Sequence, residues 1–538
     1  MAYMTYLIPA VSLPPEAGED AAFAAAGKAL RRCGVSPQNI TYRMYRRSVD
    51  ARKKDALRFV YSVAVSGDFS VQDAARLSRA GLSPLSEAVP EMHPGSEVLS
   101  APPVVVGSGP AGLFCALLLA RRGYRPVLLE RGGDVAERVA ATERFVATRI
   151  LDTETNIQFG AGGAGTFSDG KLVTRVNDPL CHYVLREFVA CGAPEEILWQ
   201  AKPHIGTDVL RTVVARMLDA IRASGGTVRF HARMDGLVRD KSGALRAVRL
   251  AGGEEIPCGA MVLAIGHSAR DTYAMLLESG VPVEVKPFSV GLRVEHRQAD
   301  IDRALYGRYA GDPRVGHAEY ALSDRRGERG VYTFCMCPGG EVVPAASETG
   351  GVVVNGMSAH ARAGENANAA VAVSVDPVDH GGTPLSAIAF QRRIEQAANA
   401  AGGGDYSAPV CTMGDFLAGR ASALPSRIRP SYMNGGVRVA APDTYLPPFV
   451  CAALRAALPR FDSKIAGYTC PDAVLTGPET RTSAPLRILR DRDGRTSPAI
   501  QNLYPCGEGA GYAGGITSAA LDGIHTAEAI CRRFRPLV

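Results

Sequence analysis

Gly107, Gly109 and Gly112 stand between a β-branched run, Val104 to Val106, and a stretch rich in Leu and Ala. That spacing is the turn from a strand into a helix whose free N–H groups and positive end can hold a pyrophosphate. Gly107 permits the sharp turn, Gly109 lets a phosphate approach the backbone, and Gly112 lets the helix pack close to the strand. Ser108, Pro110 and Ala111 complete the loop. A second apolar strand, Pro126 to Leu129, ends in Glu130, 23 residues after Gly107, with Arg131 beside it. A carboxylate at that point accepts hydrogen bonds from a ribose diol. The chemistry is that of a bound dinucleotide with an unphosphorylated ribose.

Other clusters of chemically capable residues follow. Five glycines lie between Phe159 and Gly170, too many for a packed helix or strand interior. The two phenylalanines in that loop favour a backbone cradle beside a ligand over a free surface loop. Gly162, Gly163 and Gly165 form the cradle, with Ser168, Asp169 and Lys171 as polar candidates. The apolar strand Ala260 to Gly266 ends at His267 and Ser268, the carboxyl edge of a buried parallel sheet, where ligands bind. There His267 is either a functional group or a helix-capping one. Cys335 and Cys337 flank Met336. One intervening residue is too few for the usual CxxC redox motif, so either a strand end or a redox or substrate contact fits. Arg481 and Arg487 could hold an anionic or carbonyl group. A late strand, Leu503 to Pro505, meets the loop CGEG, with Gly507 and Glu508, and then Gly514, Gly515 and Ile516 at a helix start. This repeats the opening motif and points to a long cofactor held at both ends. No histidine or cysteine grouping asks for a metal.

These residues need elements to hold them, and 538 residues allow two or three domains. Residues 1–84 read as a small α/β unit, strand, helix, hairpin, helix, of ferredoxin-like form. Residues 85–103, with four prolines, are a connector. Residues 104–280 and 466–538 form the nucleotide-binding domain. Between them 281–465 is a β-rich insert with one clear helix, Ser386 to Ala400. The net charge of +6 is nearly local, because Ile40 to Val60 carries seven basic residues against two acidic ones. The remainder is close to neutral, which argues against a protein-wide nucleic-acid surface. The basic hairpin is either a solvated edge or a contact for an anion, a partner or the substrate. No apolar run reaches membrane-spanning length, the N-terminus is a poor export signal, and the twelve cysteines show no repeated spacing. A cytoplasmic protein is expected.

The sequence resembles a bacterial family of FAD-dependent (NAD(FAD)-utilizing) dehydrogenases, within the two-domain FAD oxidoreductases of glutathione-reductase type. VVVGSGPAGL, FGAGGAGTFSDGKL, LAIGHSARDT, YTFCMCPGGEVV, NGMSAHAR, ETRTSAPLRI and LYPCGEGAGYAGGI carry the resemblance, with RSVDARKKD in the N-terminal unit. It implies an α/β fold: a doubly wound, Rossmann-like FAD-binding domain, an inserted β-rich substrate domain and the small N-terminal domain. It also implies FAD, with the pyrophosphate on Gly107, Gly109 and Gly112, the adenosine ribose on Glu130, and the ribityl chain near Glu508, where the wider pattern has Asp. Gly514, Gly515 and Ile516 would lie near the pyrimidine end of the ring. Apart from the glycine loops already described, no second GxGxxG between a strand and a helix offers a dedicated NAD(P)H domain, and there is no CxxC. Electrons would then enter from an organic substrate, from transient NAD(P)H or from a protein donor. The expected enzyme passes a hydride from a small molecule to FAD, with His267, Cys335, Cys337, His360 and Arg481 as candidate proton-handling or orienting groups. The alternative is a flavin-binding redox sensor or nucleic-acid-associated module using the basic hairpin.

Overall fold

The protein is described by a computed structural model over residues 2–537. Its centre is a five-stranded parallel sheet in the order Leu503–Pro505, Met261–Leu263, Val104–Val106, Val127–Leu129 and Thr227–Arg229. The three inner strands are almost wholly buried because both faces are covered, which is why they read as unbroken apolar runs. Helices Pro110–Arg121, Thr207–Ala223 and Ile516–Arg533 cover one face and share a core with Val105, Leu128, Val262 and Tyr504. The other face departs from the doubly wound expectation. It is covered by an antiparallel meander of Met234–Arg239, Leu245–Leu250 and Glu255–Pro257, with the short helix Arg270–Glu278. Buried residues such as Leu245, Val248 and Leu250 pack against Val104, Val106 and Leu263 there. A half-buried antiparallel strand provides the same apolar cover as a helix.

The insert is built on a seven-stranded mixed sheet. Its central strands, Phe288–Arg297 and Asn366–Val375, pair antiparallel over ten residues. The boundary expected at residue 465 needs correction. Strand Val474–Glu479 pairs with Phe288–Arg297 and with Ala408–Thr412, so the sheet of the insert runs on past it. The insert also has a second long helix, Pro448–Asp462, in addition to Pro384–Ala401. The chain enters and leaves through two antiparallel segments, Val283–Val285 and Leu486–Ile488.

In the N-terminal unit, Ala2–Leu13, Arg58–Phe69 and Gln38–Asp50 form an antiparallel sheet in that order, with helix Gly18–Arg32 on it. This is the ferredoxin-like arrangement without its fourth strand. In its place are one bridge, Tyr6 to Pro84, and one hydrogen bond from the Leu85 N–H to the Thr5 carbonyl (2.7 Å). The basic hairpin is a docking edge as well as a solvated one. Arg47 exchanges backbone hydrogen bonds with Trp199 and Ala201, and its guanidinium lies over the rings of Trp199 (4.5 Å) and Phe59 (5.0 Å). Arg46, Arg52, Lys53 and Lys54 remain exposed. No helix among the described residues is long and apolar enough to cross a membrane.

Candidate functional site

A cleft of about 330 Å³ runs along the carboxyl edge of the parallel sheet, between that sheet and the insert. One end is the first glycine turn. Gly107 has φ +100°, and a Cβ there would strike the Ala264 carbonyl of the neighbouring strand. A Cβ on Gly109 would meet no atom within 4 Å, so this glycine faces open space at the N-terminus of helix Pro110–Arg121. That is the vacancy a pyrophosphate needs. Glu130 is wired into the same turn. Its carboxylate accepts from the Ser108 hydroxyl (2.6 Å) and from the N–H groups of Ser108 (3.0 Å), Gly132 (3.1 Å) and Gly160 (2.9 Å). Four donors use the four acceptor positions of a carboxylate. A ribose hydroxyl would therefore displace one of them, and the Ser108 hydroxyl is the one free to rotate away. Arg131 lies over the Phe159 ring at 4.0 Å and bridges Glu154 and Asp271.

The second glycine loop is held by a residue that sequence reasoning missed. Arg138, wholly buried, donates to the carbonyls of Asn156, Ile157, Ala161 and Gly163 and lies 4.7 Å from the Phe167 ring centre. Burial pushes its guanidinium down to about 9. Nothing in the helical pattern of Val135–Thr148 distinguishes it from a surface arginine. A Cβ on Gly163, where φ is +64°, would come within 3.0 Å of the Gly109 Cα, and one on Gly165 within 3.2 Å of Ile516. The second glycine loop therefore meets the first backbone to backbone and the third through the Ile516 side chain.

At the far end, the Gly507 N–H donates to Asp522 (2.7 Å), which is itself clamped by Arg490 and Arg495 (2.6 Å each). This support was also absent from the sequence reading. Glu508 lines the cleft, and burial pushes its carboxyl up to about 7 against the opposing pull of Lys286. Gly514 and Gly515 lead into the N-terminus of helix Ile516–Arg533. Gly112, Gly162 and Gly507 do not line the cleft. Their lack of a side chain serves packing, against Gly107, Thr166 and Ala111 respectively.

The opposite wall comes from the insert: Phe334, Cys335, Asn355, Glu479, Arg481 and Thr482. Behind it, Arg293, fully buried, binds Glu479 (2.8 Å), Asn368 (2.7 Å), Asn355 (2.8 Å) and the Cys335 carbonyl (3.0 Å). Arg481 and Arg270 grip Glu395 from two sides, at 3.1 and 2.7 Å, joining the nucleotide domain to the insert. Arg481 also donates to Ser268 (3.1 Å) and Ser347 (2.5 Å). His267 Nδ1 lies 2.9 Å from Ser268 Oγ, and burial beside Arg481 and Arg270 pushes its imidazole down to about 3. A second clasp joins Asp169 to Arg362 (2.5 Å) and Ser358, and Lys171 to Glu319 (3.3 Å).

Three candidates do not line the cleft. His360 is outside the cleft, with Nδ1 on the Ile205 carbonyl (3.1 Å) and its ring stacked on His204. Arg487 faces Glu284 on the connecting segments at 3.3 Å. Cys337 is buried behind Cys335 rather than lining the cleft.

A Rossmann-like sheet with a glycine cradle and an inserted lobe closing over it defines a dinucleotide-dependent oxidoreductase, and its two separately held ends suit FAD. Residues 105–168 match the NAD(P)-binding Rossmann-like domain, residues 287–482 the family described as FAD-dependent protein, C-terminal domain-like, and residues 8–66 a domain of unknown function. An uncharacterized protein of Clostridium beijerinckii is 44% identical over 515 residues, covering 94% of this chain and 95% of that one. The chain belongs to the family of that relative and is a FAD-dependent oxidoreductase. Among solved structures it is similar to fructosamine oxidase (Amadoriase II) from Aspergillus fumigatus, at 12% identity over 81% of this chain and 87% of that one, TM-score 0.34. Glycine oxidase from Geobacillus kaustophilus is 12% identical over 80% and 94%, TM-score 0.35.

Proposed function

We propose that a small polar organic molecule binds between the flavin and the insert wall and exchanges a hydride with FAD. The observation that carries this is the composition of that wall. Its charged groups, Glu479 and Arg481, and the Thr482 hydroxyl, held on Ser289, are already paired inside the protein, which leaves the Asn355 amide nitrogen, with neutral His267 facing it from the nucleotide domain, as hydrogen-bonding groups for a substrate. When bound, FAD supplies the two-electron exchange, as flavins do. Gly107, Gly109 and the helix start at Pro110 position the pyrophosphate, and Ser108 yields Glu130 to the ribose. His267 orients the substrate as a hydrogen-bonding group. With an imidazole held so far down, it is a poor proton acceptor at neutral pH. The free state of all twelve cysteines supports a reducing compartment such as the cytoplasm.

The test is anaerobic mixing of the flavin-loaded protein with small alcohols, amines, hydroxy acids, NADH and NADPH. Bleaching of the oxidised flavin band by an organic substrate supports the proposal. Bleaching by nicotinamide nucleotides alone makes them the donor instead. A flavin that stays oxidised with every donor overturns it.

A further inference from the structure

Among the twelve free cysteines, Cys335 is the one that faces the cleft. Its backbone has φ +47°, a left-handed conformation that is costly for a residue with a Cβ. It sits where strand Val331–Cys337 shifts register against Asn366–Val375, between Phe334 and Cys337. Strain of this kind persists only where the surroundings impose it, and it gathers at functional sites. Cys337 lies directly behind, its thiol 3.4 Å from the Cys335 carbonyl.

In an unbroken strand, residues two apart share a face with Cα atoms about 6.7 Å apart, near the upper limit for a disulfide. The register shift between Phe334 and Cys337 bends the strand at this point, so the pair does not sit in a regular, unbroken strand. The surroundings also favour a thiolate at Cys335. The Cys337 thiol, the Arg293 guanidinium and Lys171 hold its thiol below the usual range, while the same pairing and then burial push Cys337 up. The thiol facing the cleft is thus the readier of the two to ionise, and the one behind it keeps its proton more tightly. The other candidates are spoken for. The Arg270–Glu395–Arg481 group is internally paired, and His204 with His360 lies outside the cleft.

We propose that Cys335 and Cys337 form a dithiol that exchanges an electron pair with the flavin, a second two-electron store in the same cleft. The proposal rests on the flavin reading above. In the oxidising direction the Cys335 thiolate and Cys337 thiol together give up two electrons and one proton to the isoalloxazine. The Cys337 S–H bond breaks and an S–S bond forms. The reverse transfer reopens that bond, restoring one thiolate and one thiol.

Anaerobic dithionite titration of the oxidised holoprotein counts the electrons directly. Two equivalents per flavin are expected for the wild type and one for Cys335→Ser and for Cys337→Ser. Alkylation followed by peptide mapping of the oxidised wild-type protein should recover residues 335 and 337 cross-linked, and both alkylated after reduction. This mapping needs no variant, so a misfolded substitution does not rescue the idea. A wild-type flavin that titrates with one equivalent, with both thiols alkylatable before reduction, overturns the dithiol and leaves the flavin reading intact. A protein that holds no flavin overturns that reading instead, and the dithiol exchange with it.

Discussion

Glu508 is the carboxyl most displaced toward neutrality in the cleft, from an ordinary 4.5 to about 7. The sign of its effect on stability follows. Its folded-state value is raised, so the associated stability is fully present below about pH 4.5 and is lost as pH rises through about 7. For the flavin-free protein this amounts to on the order of 3 kcal/mol. Glu508→Gln should flatten the profile, so that urea midpoints measured at pH 5 and pH 8 converge. His267 behaves in the opposite sense. With its imidazole pushed down to about 3, it stays neutral across the working range. Flavin reduction by substrate should therefore show no inflection from this residue between about pH 4 and 8. Removing its hydrogen bond in His267→Ala should slow reduction roughly tenfold, by about 1.4 kcal/mol, with flavin content unchanged. Stopped-flow bleaching across that pH range checks both outcomes.

At the level of elements, the βαβ turn and the late CGEG loop were legible because glycine at fixed offsets reports backbone geometry directly. Gly109 faces open space and Gly107 abuts Ala264 as that pattern requires. Arg138 and Asp522 were not legible. Each works through contacts with loops distant along the chain, and neither leaves a local spacing to detect. The meander on the second sheet face escaped for a related reason, since the apolar residues of Leu245–Leu250 do not say which layer they will cover. His360 was singled out for its residue type within a recognised stretch, and tertiary placement then set it against His204. Arg138 gives the element-scale prediction. Replacement by Met leaves the carbonyls of Asn156, Ile157, Ala161 and Gly163 without their donor, at a cost of about 3 kcal/mol or more. The variant should melt several degrees lower and lose FAD on gel filtration.

For the whole molecule, the Arg270–Glu395–Arg481 bridge is the more deeply buried of two clasps that join the nucleotide domain to the insert, the other being Asp169–Arg362 with Lys171–Glu319. Glu395→Gln keeps its shape and strands two buried guanidinium groups, a change typically worth 3–5 kcal/mol. Calorimetry should then resolve two transitions where the wild type shows one, and flavin release should quicken. A single transition at the wild-type temperature would show that the bridge does not couple the lobes. The paired segments Val283–Val285 and Leu486–Ile488 bear on history as well as mechanics. Val285 lies directly opposite Leu486, so the cut ends of the nucleotide domain already stand where a two-residue turn would join them. A lobe of some 200 residues attached at such a point is a cassette, gained or exchanged at one place without rethreading the sheet beneath it. Selection for new substrates can then act on the cassette while the cofactor cradle stays as it is.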